Sequence, residues 1–327
     1  MIKPVKFLIL RFSSIGDIVL TTPVIRCLKQ QHPNAEVHYF TKKKFGFLLE
    51  KNPFVDKLWL LEDHDKQIMS LLKSENFDYI IDLHTNLRTL RIKLKLGIPA
   101  FSFEKLNIQK FLLTNFKINR LPDIHIVDRY LATVRTFGIK NDDQGLDYFI
   151  PFEDQIDKSQ LPESHRENYV AYAIGGQHFT KKLPAHKMID LCQKINHPII
   201  LLGGKEDFAE GETVRKAIGD ALIFNACGKY NFNQSASIIE NARIVFTHDT
   251  GLMHAAAAFR KRVYSIWGNT VPAFGMYPYQ TSFEIIENNQ LNCRPCSKIG
   301  YKACPKKHFK CMNDLSFDFE IKELTTR

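Results

Sequence analysis

Hydrophobic positions along the chain form two arrays in which short apolar runs alternate with stripes at helical spacing. In the first array, the apolar run at residues 6–12 predicts a strand. Residues 16–31 carry Ile18, Val19, Val24, Ile25 and Leu28 at helical spacing, with Pro23 tolerated early in the helix or at a slight kink. Strands are expected at 36–41 and 57–61, a helix at 66–73, a buried strand at 79–83, and a helix at 125–137 closed by Gly138. Between 141 and 168 the pattern breaks, and Pro151, Pro162 and many charges suit a linker. The alternation resumes with strands at 169–174, 199–202, 242–247 and 262–267 and helices at 185–194, 208–218 and from 254. Two such arrays predict an α/β protein of two doubly wound, Rossmann-like domains facing across a cleft. The expected domains are residues 1–155 and 165–327, the second ending in a Cys-rich segment.

Composition adds constraints. A chain of 327 residues, 44% of them hydrophobic, can bury two cores. No apolar run approaches the roughly 18 residues that a membrane span needs. The apolar start at 7–10 is cut by Arg11 and lacks a small-residue cleavage site, so it is expected to be a strand and not a signal peptide. A cytoplasmic location and seven reduced cysteines follow as expectations. The net charge of +10 is uneven. Residues 86–120 hold eight Lys/Arg against Glu104, and residues 291–312 hold six Lys/Arg and no acid. Such patches suit phosphates of nucleic acid, anionic lipid or a phosphorylated sugar, or are a solvated basic face.

Four loops after strands carry the candidate chemistry, since ligands of open α/β sheets bind at the carboxyl ends of strands. Ser13-Ser14-Ile15-Gly16-Asp17 opens the first helix, where small residues admit a ligand and the helix terminus favours anions; Asp17 could equally cap the helix. With one glycine, this is not a dinucleotide fingerprint. Gly175-Gly176-Gln177-His178-Phe179-Thr180-Lys181-Lys182-Leu183-Pro184 permits close backbone approach and offers Thr180 and Lys181 to phosphate oxygens. Gly203-Gly204-Lys205-Glu206-Asp207 places an acid where a ribose could be held. In His248-Asp249-Thr250-Gly251-Leu252-Met253-His254 a strand ends and a small-residue helix begins, whose free amides could cradle a diphosphate, or which Asp249 merely caps.

These stretches together resemble the bacterial lipopolysaccharide heptosyltransferases, whose donor is ADP-heptose. The likeness rests on residues 7–17, Thr21-Thr22-Pro23, Asp82-Leu83-His84, Thr180-Lys181-Lys182-Leu183-Pro184 and residues 249–257, and it runs from about residue 6 to Cys311-Met312. It implies a GT-B fold and an inverting transfer of heptose to an anionic, lipid-linked inner-core oligosaccharide, with peripheral contact at the inner membrane and no nucleic acid. It implies Asp17 as catalytic base. Donor contacts fall to Thr180, Lys181, Glu206, Asp249, Thr250, Gly251 and His254, with Leu183 standing where the family usually has tryptophan. On the acceptor side stand Ser14, Gly16, Arg88 and Arg91. The residues suit this chemistry independently: inversion needs one base for the acceptor hydroxyl and positive charge on the departing diphosphate, without a catalytic cofactor.

Other readings stay open at this stage. Another nucleotide-sugar could be the donor; a nucleotide-sugar epimerase shares the two-domain plan; a nucleotide-sugar or nucleic-acid binding module would use the basic patches, although no nucleic-acid motif is present. Asp63-His64-Asp65 resembles the metal triplet of other glycosyltransferases. Cys293, Cys296, Cys304 and Cys311, with His308 among them, have spacing that permits a structural zinc site, or are reduced thiols or a labile disulfide. His84 reads as acceptor-side and His254 as near the phosphates, whereas Cys27, Cys192 and Cys227 read as core.

Overall fold

The first array folds as a five-stranded parallel sheet built from β1 (Val5–Leu10), β2 (Ala35–Lys42), β3 (Lys57–Leu61), β4 (Tyr79–Asp82) and β5 (Ala100–Ser102), in the order β3-β2-β1-β4-β5. The computed structural model describes residues 3–62 and 67–325. A parallel sheet is covered on both faces, which is why the centre of β1, Phe7 to Leu10, is apolar without alternation and wholly buried. Leu10 lies opposite both Phe40 and Asp82, so the carboxyl ends of β1 and β4 finish level while β2 runs on to Lys42. The helix expected over 16–31 is two helices, α1 (Ile15–Val19) and α2 (Thr22–Gln31). They break because Pro23 lacks the N–H a continuing helix needs, while the hydroxyls of Thr21 and Thr22 donate back to the carbonyls of Ile18 and Val19 at 2.6 and 2.8 Å. Next come α3 (Ile68–Ser74) and α4 (Leu87–Leu96), the latter not foreseen from sequence. Asn86 caps α4 by accepting from the Thr89 N–H at 3.0 Å.

The second array forms a six-stranded parallel sheet from β6 (Val170–Ala173), β7 (Ile199–Leu202), β8 (Ile223–Asn225), β9 (Ile244–His248), β10 (Val263–Trp267) and β11 (Phe283–Glu287), in the order β11-β10-β9-β6-β7-β8. Every residue of β6, β7, β9 and β10 is buried. By contact the chain divides into two compact units, Met1–Leu106 with Ile124–Phe149, and Asn107–Asp123 with Ile150–Arg327. The stretch Asn107–Asp123, which opens with α5 (Asn107–Phe111), thus belongs to the second unit although it lies in the first half of the sequence. Lys117 fastens it there by donating to the carbonyls of Cys293 and Pro295 at 3.3 and 2.7 Å. The basic run at 86–120 is therefore divided between two bodies. The first unit resumes with α6 (Ile126–Leu131), and the second sheet is flanked by α7 (Ala185–Ile195), α8 (Phe208–Ile218), α9 (Phe232–Asn241) and α10 (Gly251–Ala258).

Both strand orders reverse at the centre. β1 lies between β2 and β4, and β6 lies between β7 and β9, so the loops after β1 and β4, and those after β6 and β9, depart on either side of a crevice at the carboxyl edge. All four carry motifs singled out from the sequence.

Candidate active-site residues at the two switch points

In the first unit the loop after β1 is organised by Arg11, a charged residue at the end of an apolar strand and itself buried. Its guanidinium donates to the carbonyl of Leu83 beyond β4, to the Tyr130 hydroxyl of α6 at 2.9 Å and to the Ser13 carbonyl at 2.8 Å. Its remaining nitrogen pairs with Asp17 Oδ1 at 2.6 Å. The other carboxylate oxygen accepts from the Ser14 N–H and hydroxyl at 3.0 and 2.7 Å. Asp17 thus does cap α1, but it also ends an ion pair with a guanidinium and keeps part of its surface open. Gly16 is buried within α1, and Ser14 is exposed at its start.

The loop after β4 is held by buried Asp82, whose Oδ1 accepts the amides of His84 and Thr85 at 3.1 and 2.8 Å and whose Oδ2 meets Lys93 at 2.9 Å. It delivers His84 edge-on to the Phe12 ring, 5.8 Å between centroids, and sets the Arg88 guanidinium 5.4 Å over the same ring. Burial, and then the charges of Arg11 and Lys105, press the His84 pKa down to about 4. Arg88 and Arg91 line a crevice of ≈ 610 Å³ together with Lys95, Phe40, Leu61 and Met69.

In the second unit Lys181 and Asp249 meet across the switch point, Nζ to Oδ2, at 2.6 Å. Thr270 donates to the same Oδ2 at 2.9 Å. Because Asp249 is engaged there, the residue that precedes α10 as its cap is Thr250, and its side chain makes no capping bond. The first-turn amides of α10 therefore have no side-chain cap. His254 is buried one turn into this helix. The two neighbouring acids, Glu206 and Asp207, are placed differently. Asp207 is buried, pairs with Lys182 at 3.0 Å and accepts the Gly204 N–H at 2.9 Å. Glu206 is exposed. Gly175 and Gly203 are glycines because Asp207 fills the space in which their Cβ atoms would lie, 2.8 and 2.9 Å away.

Thr180 is buried, and its hydroxyl accepts from the Tyr301 N–H at 2.8 Å and donates to the Tyr301 carbonyl at 3.3 Å. That side chain holds the Cys-rich loop and is not presented to a ligand. Two residues that sequence reasoning missed act on the same ground: Thr270, which orients Asp249, and Arg294, which donates to the carbonyls of Asn288 and Thr270 at 2.6 and 2.9 Å and pairs with Glu287 at 2.8 Å. The signal for Arg294 was a lone arginine among prolines and cysteines; nothing local marked Thr270.

The sequence pattern of a family described as glycosyltransferase family 9 (heptosyltransferase) matches residues 66–307. The chain belongs to that family. Lipopolysaccharide heptosyltransferase 1 of Campylobacter coli is 23% identical over 297 residues, which cover 81% of this chain and 84% of that one. The solved glycosyltransferase family 9 structure from Veillonella parvula DSM 2008 matches with a TM-score of 0.69 at 21% identity over 86% of each chain. ADP-heptose lps heptosyltransferase II of Escherichia coli matches with a TM-score of 0.67 at 19% identity, over 94% of this chain and 98% of that one. The fold is thus GT-B and the protein is a glycosyltransferase, which sets aside the epimerase and the non-enzyme readings.

Within this glycosyltransferase, of the four cysteines whose spacing permits a zinc site, Cys293, Cys296 and Cys304 lie in one long loop and Cys311 on the short helix Lys310–Asn313 that follows it. Cys293 Sγ lies 3.9 Å from His308 Nε2, and the Cys296 thiol donates to the Cys293 carbonyl at 3.1 Å. Among the described residues the one group with three ligand atoms within 4.8 Å of one another is Glu36, His38 and Glu75. That group is an ion-pair cluster. His38 Nδ1 accepts from the Trp59 N–H at 3.0 Å, so its Nε2 carries the proton given to Glu36 at 2.7 Å. Hydrogen bonds from Lys57 and Lys6 hold Glu75 down at about 2. The Asp63-His64-Asp65 triplet lies outside the described residues. Cys27, Cys192 and Cys227 are core residues, their thiols pushed up to about 11, 12 and 12 by burial.

Burial also lowers the pKa of His248 to about 4, with its Nε2 accepting from the Leu183 N–H at 3.0 Å. A folded-state histidine pKa below the unfolded value near 6.5 costs nothing while both states are neutral, above about pH 7. As pH falls from 6.5 towards 4, only the unfolded chain takes up the proton, and stability is lost at up to about 1.4 kcal/mol per pH unit. Urea unfolding of the second unit at pH 7, 6 and 5 should show this decline, and His248→Gln should flatten it; an equally steep decline in the variant would refute the assignment.

Proposed function

We propose that this glycosyltransferase moves heptose from ADP-heptose to an anionic, lipid-linked inner-core acceptor of lipopolysaccharide, with inversion, working peripherally at the cytoplasmic face of the inner membrane. One observation carries the reading: the first switch point presents a carboxylate, and the second presents a lysine beside an uncapped helix terminus. That is the charge distribution of an inverting transfer. The names of the family and of its matched members supply the sugar, the nucleotide and the lipopolysaccharide.

In this reading Asp17 takes the proton from an acceptor hydroxyl as its oxygen bonds to the anomeric carbon of the donor, and the bond from that carbon to the diphosphate breaks. The leaving ADP gathers negative charge, which Lys181 and the amides of Thr250 and Gly251 stabilise. Glu206, exposed beyond β7, is suited to the ribose hydroxyls, and Arg88 and Arg91 to acceptor phosphates. Arg11 aligns Asp17 and stays paired with it during the transfer. The steps call on no metal.

Incubation with ADP-heptose and a lipid A–core acceptor should add the mass of one heptose to the acceptor. Transfer from a different nucleotide-sugar, with none from ADP-heptose, would overturn the donor assignment. Asp17→Asn retains the size and the capping ability of the side chain, so the fold should survive while kcat falls by about 10²–10⁴-fold. Turnover within about threefold of the parent, below the range for a lost general base, would leave Asp17 as a cap only. Sidedness is tested by a crossed pair of variants. Lys181→Ala should weaken ADP binding by about 1.5–3 kcal/mol and spare acceptor KM, whereas Arg88→Ala with Arg91→Ala should raise acceptor KM and spare donor KM. Equal effects on both substrates would argue against the division.

A further inference from the structure

Two acid-free stretches of sequence are joined in the second unit. Residues 107–122 contain Lys110, Lys117 and Arg120 and no Asp or Glu; residues 288–313 contain no Asp or Glu and five exposed lysines, besides Arg294, which is buried and paired with Glu287. Lys117 links them through the carbonyls of Cys293 and Pro295, and Lys298 reaches the Asn107 carbonyl at 3.4 Å. The joined surface is also apolar. Ile108 is 74% exposed, Phe111 50%, Phe116 60% and Ile299 63%. The rings of Phe111 and Phe116 stand edge to face, 5.8 Å apart, where α5 runs into a wide turn over Leu112–Phe116. Leu113, on the same turn, is buried and anchors it. A buried root, exposed aliphatic and aromatic tips and a surround of lysines without acids make an interfacial surface, in which rings and branched chains enter the acyl boundary while ammonium groups stay at anionic headgroups.

We propose that this surface, Ile108, Phe111, Phe116 and Ile299 within their lysine surround, docks the enzyme on an anionic lipid bilayer. The inference deepens the proposed function, since it rests on the reading that the acceptor is lipid-linked. Nucleic acid would use the charges but gains little from exposed isoleucines. A second copy of this chain in a two-fold contact would set the same acid-free face against itself, with like charges opposed. Anionic lipid satisfies both the charge and the apolar tips.

The full-length protein should co-sediment with vesicles of phosphatidylglycerol and phosphatidylcholine, more weakly as salt rises, and not with phosphatidylcholine alone. The double variant Phe111→Ser, Phe116→Ser removes only exposed rings and should melt as the parent does. Its vesicle affinity should fall by about tenfold or more, since each lost ring forfeits buried apolar area. In a Phe116→Trp variant the added indole should shift its emission to the blue on mixing with anionic vesicles. Undiminished vesicle binding by the double variant, or an unshifted indole, would overturn the proposal. So would parent self-association that the double variant abolishes in the absence of lipid. Heptose transfer to a de-acylated, water-soluble acceptor separates the two claims: it should be unchanged in the double variant, and its absence in the parent alongside intact vesicle binding would count against the proposed activity and not against the docking surface.

Discussion

The constraint on which the functional architecture depends is the parallel sheet. Parallel strands all deliver their carboxyl ends to one edge, and every return must pass through a helix or a long connection. Each of the two sheets grows from a central strand to both sides, so one crevice per sheet opens where the order reverses. The polar residues that interrupt the apolar pattern after β1, β4, β6 and β9 are collected there. Because Leu10 finishes level with Asp82, a guanidinium one residue beyond β1 can reach the carbonyl one residue beyond β4.

Ion pairs set this polar edge. Arg11 with Asp17, Lys181 with Asp249 and Lys182 with Asp207 are all largely withdrawn from water. Deleting one partner costs about 3–5 kcal/mol where a pair is fully buried, and less at these pairs, which keep part of their surface open and whose remaining partner retains other hydrogen bonds. The three pairs differ in what a ligand could do to them. Asp207 has both oxygens satisfied and is buried between two glycines, so the Lys182 pair is architectural. Lys181 faces a carboxylate that Thr270 also supports. In the proposed reading an incoming diphosphate exchanges one anionic partner of Lys181 for another, while Asp249 keeps the hydrogen bond from Thr270. The cost of rearrangement is thereby offset at the one pair that lies beside the uncapped helix.

The sheets and the four strand-end loops were legible in the sequence because fully buried strands read as apolar runs and their ends as abrupt polar changes. Helix α4 was not. Its sequence, Leu87 to Leu96, places apolar and basic residues almost alternately, and it buries only Thr89 and Ile92. From Leu90 to Leu96 the alternation has the period of a strand and masks the helix, and Leu87, Leu90 and Leu94 stay exposed. The three-residue strands β5 and β8 fall below the length at which a run stands out, and β11 carries Glu284 and Glu287 at an edge. The different surroundings of Glu206 and Asp207 arise from the Gly204 amide and Lys182, which engage only Asp207 and lie outside local spacing rules. The hydrogen bonds of Thr180 to Tyr301, more than a hundred positions away, left no local signal. Spacing reports local structure; the partner that consumes a hydroxyl is set by topology.

In the proposed reading the two switch points turn different charges toward the reacting groups, the carboxylate of the Arg11–Asp17 pair at the first and the ammonium of the Lys181–Asp249 pair at the second. A general base must offer an unshared electron pair to the arriving proton, and in the proposed reading Asp17 offers it from a carboxylate that Arg11 and Ser14 hold in place. A leaving diphosphate must find positive potential already in place, since reorganising dipoles during the reaction would add to the barrier. Lys181 and the amides that begin α10 are fixed by the sheet before any ligand binds. Exchange of the two sites would set a cation where a proton must be taken and a carboxylate where phosphate must depart, and each would oppose its step. The same sheet plan is used twice, and in the proposed reading its two reversals divide the work because they turn groups of different charge toward the ligands.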